Sequence, residues 1–128
     1  MSMRTLQVGQ SATAKRVFSR ADIVEFSDLV QAAPPNENSV PGPLIGGLFS
    51  YLLGTQLPGR GTNYLKQRLE FRRLAQVGEE LTAQVEVVRL RPEKSLVNLS
   101  TMCTGPAGET ICEGEALVLV QDVEWGGA

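Results

Sequence analysis

Histidine is absent from the 128 residues of this chain. That removes Ser-His-Asp and Cys-His catalysis, histidine metal sites and any acid–base role for imidazole. Cysteine is scarce. The two present, Cys103 and Cys112, are too few for a zinc site and flank a predicted turn at residues 105–108. On strands of a cytosolic protein they are expected to be packed thiols rather than a disulfide. No block of basic residues stands out and the net charge is −2, so a nucleic-acid surface is not indicated. Arg68, Arg72 and Arg73 cluster on one predicted strand, and Arg89, Arg91 and Lys94 lie near one turn. They fit solvated strand edges, or alternatively a local phosphate contact. Long hydrophobic runs are missing too. Residues 44–53 form the most apolar stretch, interrupted by Gly46 and Gly47, and fall well short of the roughly 18 residues of a membrane span. The first ten residues are mixed and polar, without the apolar segment of a signal peptide, so a cytoplasmic location is expected.

What is present suits one compact domain: 42% hydrophobic and 20% charged residues, with no repeat, low-complexity segment or interdomain linker. The core is expected over about residues 6–121, with 122–128 a frayed tail in which Trp125 is either packed or disordered. Residues 11–19 fit a short strand. Ser19 is a candidate N-cap with Asp22 in the first turn, and Ile23, Val24, Phe26, Leu29 and Val30 recur at helical spacing, predicting a helix over 21–31. It stops before Pro34, because the residue preceding a proline avoids the helical region. Residues 33–42 are a loop. Pro43 suits a first helical turn, and 44–53, apolar nearly all round, predicts a buried helix ended by Gly54.

Strand patterns follow. Residues 63–71 carry Tyr64, Leu65, Leu69 and Phe71. Leu81, Ala83, Val85 and Val87 alternate strictly, then Val88 and Leu90 change parity, which predicts a bulge. Turns at 91–94 and 105–108 separate strands over 95–104 and 109–121. Strand, helix, buried helix and antiparallel meander imply an α+β domain with one antiparallel β-sheet wrapped around a buried central helix.

Several strings then match a known family. Residues 52–59 (Leu-Leu-Gly-Thr-Gln-Leu-Pro-Gly), Tyr64-Leu65, Phe71 through Val77-Gly78-Glu79, the opening Val8-Gly9-Gln10 and the closing Glu113-Gly114-Glu115-Ala116 resemble the MaoC-like (R)-specific enoyl-CoA hydratases, over roughly residues 6–120. The resemblance implies the hotdog fold, no cofactor or metal, a homodimer with its thioester tunnel near the interface, and an acyl-CoA or acyl-carrier-protein thioester as substrate. It does not imply nucleic-acid or membrane partners.

In that family an Asp-x-Asn-Pro-x-His motif supplies the groups that activate water. A backbone N–H at the start of the central helix holds the thioester oxygen as it gains enolate charge. Laid residue by residue, the aspartate falls near Ala32 and the motif's remainder on Ala33-Pro34-Pro35-Asn36-Glu37, so Glu37 or nothing stands where the histidine belongs. About a dozen residues of an overhanging segment are missing. The family's His-Gly at the helix start is Pro41-Gly42 here. The resemblance therefore leaves Glu37 as lone acid–base candidate, Gly42 as oxyanion donor and Ser50 as an active-site helix residue, with Tyr64 and Asp28 as candidate substrate contacts. Each has a plainer reading: Glu37 a solvated loop acid, Asp28 an exposed helix residue, Gly42 a turn glycine. Likewise, Ser50 would bond back to its own helix, and Tyr64 would be core. Enoyl or 3-hydroxyacyl thioester hydration, thioester hydrolysis and non-catalytic thioester binding, or service as partner to an active paralogue, all remain open.

Overall fold

The computed structural model describes residues 4–31 and 38–126. Its elements run β1 (Arg4–Leu6), β2 (Ser11–Val17), α1 (Arg20–Val30), β3 (Ser39–Val40), α2 (Gly42–Thr55), β4 (Thr62–Phe71), β5 (Ala75–Gln76), β6 (Glu80–Arg91), a 3-10 turn (Pro92–Lys94), β7 (Leu96–Thr104), β8 (Thr110–Val120) and β9 (Val123–Trp125). Five strands form an antiparallel sheet in the order β2-β6-β7-β8-β4. Helix α2 contacts β6 and both edge strands, β2 and β4. One helix can touch both edges of a five-stranded sheet only if the sheet curls round it, and that is the hotdog fold.

Strand alternation builds the core. Leu81, Ala83, Val85 and Val87 on β6 meet Val97, Leu99 and Cys103 on β7 and Ala116, Val118 and Val120 on β8, all buried. They close over Ile45, Phe49, Leu52 and Leu53 of α2. Phe49 is fully enclosed, a burial that contributes roughly 2–3 kcal/mol. The parity change after Val87 is a bulge: Val87 pairs with Leu99 and Arg89 with Asn98, leaving Val88 out of the ladder and exposed.

The α1 start matches its sequence. The Ser19 N–H donates to Asp22 Oδ2 at 2.8 Å and the Asp22 N–H to Ser19 Oγ at 3.2 Å, a reciprocal capping box. Backbone hydrogen bonding from Ser19, followed by weaker contributions from its hydroxyl and from Arg16, holds the Asp22 carboxyl below its ordinary range. Cys103 and Cys112 are buried free thiols, paired directly across β7 and β8. Their mutual hydrogen bond, then burial, raises the Cys103 thiol.

Three expectations are corrected. The chain after residue 121 does not fray: β9 pairs in parallel with β1, Val123 is buried and Trp125 is half-buried against the core. Helix α2 begins two residues earlier than expected and runs through Gly54 to Thr55. It is also not buried all round. Pro43, Gly47, Ser50, Tyr51 and Gly54 recur at helical spacing along an exposed stripe. Apart from Tyr51, whose ring is exposed, the residues of this stripe are small and need no cover from this protomer.

Candidate functional site

The site is set by how α2 is anchored at its start and laid against the edge strand. Before the helix, β3 pairs with β5, and the Val77 N–H donates to the Asn38 carbonyl at 2.8 Å. That fixes Pro41 as N-cap and Gly42 as the first helical residue, followed by Pro43. Pro41 provides no side-chain cap, and a first-position N–H has no acceptor within its own helix. The Gly42 N–H thus stands at the positive end of α2, where an oxyanion would be stabilised.

At the other end, the residues 52–59 string is a buried helix stop. The Gln56 and Leu57 N–H groups both donate to the Leu52 carbonyl and the Gly59 N–H to the Leu53 carbonyl, at 2.8–2.9 Å. Gly59 takes φ 91°, a conformation suited to glycine. This turn launches β4 back along the helix, so the string that marks the family is an architectural feature.

Helix and strand run in opposite directions. A Cβ on Gly42 would meet Phe71 Cζ at 3.1 Å, and one on Gly46 would meet Gln67 Oε1 at 3.9 Å. Phe71 and Gln67 share the inward face with Leu69 and Tyr64, because they pair with Cys112, Ala116, Gly114 and Val118 of β8. A bulge makes this possible. Tyr64 pairs with Val118 but Lys66 with Leu117, so Leu65 drops out of the ladder and is exposed. Leu65, expected among the apolar strand members, therefore takes no part in the core.

The sequence candidates separate as follows. Gly42 and Ser50 lie on α2, and Tyr64 faces the core on β4. Ser50 is exposed, and among the described residues its hydroxyl makes no hydrogen bond, so it does not bond back to the helix. Tyr64 is half-buried, its hydroxyl enclosed without a partner among the described residues, and desolvation pushes its pKa up to about 12. Asp28 is exposed near the end of α1, and its carbonyl caps the helix by accepting from the Gln31 N–H. Glu37 and Ala32 lie outside the described residues. Among the described residues no group of three or more acidic or cysteine side chains could hold a metal, and no helix is long and apolar enough to cross a membrane.

Four arginines of the basic clusters, Arg68, Arg72, Arg73 and Arg91, face carboxylates or an amide. Arg72 meets Glu113 at 2.7 Å and Arg68 meets Glu70 at 3.2 Å. Arg73 is held by Glu79 at 3.0 Å and by Glu109, and Arg91 donates to Asn98 Oδ1 at 2.9 Å. An open depression of about 460 Å³ crosses β4, β7 and β8 where Lys66, Arg68, Asn98 and Glu115 sit, with Gln67 at its edge. The directly paired Arg68 and Glu115 on its floor mix both charges, which does not single it out as the reaction site. The α2–β4 seam, with a helix-terminal N–H that has no acceptor among the described residues beside an apolar wall, is better suited to a polarised carbonyl.

Fold and seam together define a hotdog protein of the thioester-handling kind. No family model matches the chain. It is 37% identical to the (R)-specific enoyl-CoA hydratase of Aeromonas caviae, over 92% of this chain and 98% of that one. Identity to the enzyme of the same name from Rhodospirillum rubrum is 38%, over 90% and 88%. Among solved structures, the A. caviae (R)-hydratase superposes with a TM-score of 0.83, covering 91% of this chain and 98% of that chain. An unliganded R-hydratase from Pseudomonas aeruginosa, 28% identical, superposes with a TM-score of 0.86, covering 96% and 90%. This chain belongs to the MaoC-like (R)-specific enoyl-CoA hydratase family. Gln67 and the Phe71–Gly42 contact were not legible as site features in the sequence: without the Leu65 bulge, the parity of β4 cannot be assigned.

Proposed function

We propose that this protein hydrates enoyl thioesters, or dehydrates 3-hydroxyacyl thioesters, of CoA or an acyl carrier protein, and works as a cytoplasmic homodimer. The observation that carries this is the 37% identity to an (R)-specific enoyl-CoA hydratase across 98% of that enzyme. The Gly42 N–H supports it as oxyanion donor: addition of water at C3 pushes electron density onto the thioester oxygen, and a helix-terminal N–H holds that charge. Glu37 is the acid–base group, taking a proton from water as the C3–O bond forms and returning it to C2. Ser50 is assigned to the catalytic centre, hydrogen-bonding substrate or water, and Tyr64 and Asp28 to substrate contacts around it. The unpaired edge of β4, with Leu65 and Phe71 exposed, supports a second copy as its cover, since a bare apolar edge invites pairing.

One specific observation favours a second reading. With no histidine in the chain, the family's two-residue proton transfer is reduced to one carboxylate at most, and losing one member of such a pair costs orders of magnitude in rate. The protein is then an acyl-thioester-binding subunit, or partner of an active homologue. The deciding experiment follows loss of the conjugated thioester absorbance of a short enoyl-CoA, with Glu37→Ala alongside and light scattering for the oligomeric state. Turnover that collapses in the variant supports a one-carboxylate hydratase. Release of free CoA without hydration points to thioester hydrolysis, and silence in both channels to the binding role.

A further inference from the structure

We propose that Gln67 is a substrate-positioning residue of the α2–β4 seam, its carboxamide hydrogen-bonding the oxygen on C3 of a 3-hydroxyacyl thioester. This rests on the function proposed above and names how the site would recognise that ligand class. The inward face of β4 is otherwise occupied by Tyr64, Leu69 and Phe71, each paired with an inward residue of β8. Gln67 is the member of that face with a carboxamide, able both to donate and to accept. Its Oε1 lies 3.9 Å from where a Cβ on Gly46 would stand, an ordinary contact distance, so the carboxamide is laid against the first turns of α2. Among the described residues that carboxamide has no hydrogen-bond partner, and the residue is exposed within the protomer.

Position gives the ligand atom. Gly46 is four residues into α2 from Gly42, about 6 Å along the helix axis. The thioester oxygen and the C3 oxygen of the ligand are borne on carbons separated by two bonds. A thioester whose carbonyl is held at the Gly42 N–H has its C3 oxygen within about one helical turn of that glycine, a reach that includes Gln67 beside Gly46 when the acyl chain runs along the seam. A carboxamide suits a hydroxyl because it both donates and accepts. It carries no charge into an apolar seam, and it cannot take the proton itself. Gln67 is accordingly a positioning residue, with proton transfer left to another group.

Binding distinguishes this from a structural role. Calorimetric titration of the wild type, Gln67→Ala and Gln67→Leu would use two probes, 3-hydroxybutyryl-CoA and butyryl-CoA, which differ only in the C3 oxygen. A lost neutral hydrogen bond predicts about three- to tenfold weaker binding of the hydroxyacyl thioester in both variants, with butyryl-CoA unchanged. Equal weakening of both probes, or no change in either, overturns the assignment. Because the readout is binding, a wild type that binds both probes but never turns over would refute the hydratase reading while leaving Gln67 decided. A wild type that binds neither removes both.

Discussion

Gly114→Ala adds one methyl group to β8 at a point where the backbone of β4 already occupies the space. A Cβ built on Gly114 lies 1.7 Å from the Arg68 carbonyl oxygen, 2.7 Å from its carbonyl carbon and 3.0 Å from Leu69 Cα. These are main-chain atoms, so no rotamer change relieves the contact, and β4 must retreat by more than 1 Å. Hydrogen bonds between strands tolerate only a few tenths of an ångström about ~2.9 Å, so a shift of that size breaks the local ladder. Because β4 is an edge strand bonded only to β8 in this sheet, nothing on its far side within the protomer resists the retreat. Two or three lost bonds at ~0.5–1.5 kcal/mol each, added to an overpacking cost of ~1–3 kcal/mol, span ~2–7 kcal/mol, and the freedom of the edge strand to retreat favours the lower part of that span, about 3 kcal/mol. That is a large share of the ~5–15 kcal/mol by which a domain is stable. With a urea m-value of ~1.5 kcal/mol/M, the unfolding midpoint falls by about 2 M, measured at fixed protein concentration so that any association equilibrium is held constant. Gly54→Ala is the control: its Cβ meets nothing within 4 Å in the last turn of α2, and alanine there gains up to ~1 kcal/mol of helix propensity. If Gly114→Ala unfolds at the same urea concentration as the wild type, the close β4–β8 approach is wrong.

Other expectations follow from the same contacts. Gly42→Ala puts a Cβ 3.1 Å from the rim of the Phe71 ring, which can swing aside because it is half exposed. Stability should therefore change by less than about 1 kcal/mol, while thioester binding at the α2 start weakens. Unchanged affinity for butyryl-CoA would count against that site. Asp22→Asn removes the carboxylate of the α1 capping box. Its folded pKa lies below the unfolded value of ~3.9, so its stabilisation is full above that unfolded value and is lost as pH falls through the folded one. The difference between wild type and variant in urea midpoint should therefore be present at pH 7 and vanish towards pH 2. A gap that persists in acid would show that the amide fails for another reason. The Cys103 and Cys112 thiols, buried and hydrogen-bonded to each other, should resist a thiol reagent in the native protein and both react in denaturant. Rapid labelling of the folded protein would contradict their burial.

How much of this was legible depended on whether a feature was local. The α1 capping box needs only Ser19 and Asp22 three residues apart, and the Val88 bulge shows as a change of parity within one strand. Cys103 and Cys112 could be placed near one another across a predicted turn, but their direct pairing needed the register shift between Cys103 and Thr104. The residues 52–59 string was legible as a family mark, and Gly54 within it as a helix stop one residue short of the observed Thr55, but the hydrogen bonds to Leu52 and Leu53 that make the stop become visible only once the chain has folded back. Gly114 stood in the sequence as part of a family string, with no sign that the Arg68 carbonyl fills the space beside it.

The sequence by itself determined the α+β class, the family and the absence of imidazole chemistry, since these follow from periodicity, residue strings and composition. Only the tertiary structure decided that the terminal segment pairs with β1, that α2 leaves one stripe uncovered, and that Gln67 and Phe71 lie over Gly46 and Gly42. A strand's parity is defined against its neighbour, and one omitted residue, Leu65, reverses which side chains face the helix. That choice is made by pairing with β8, not by β4 alone.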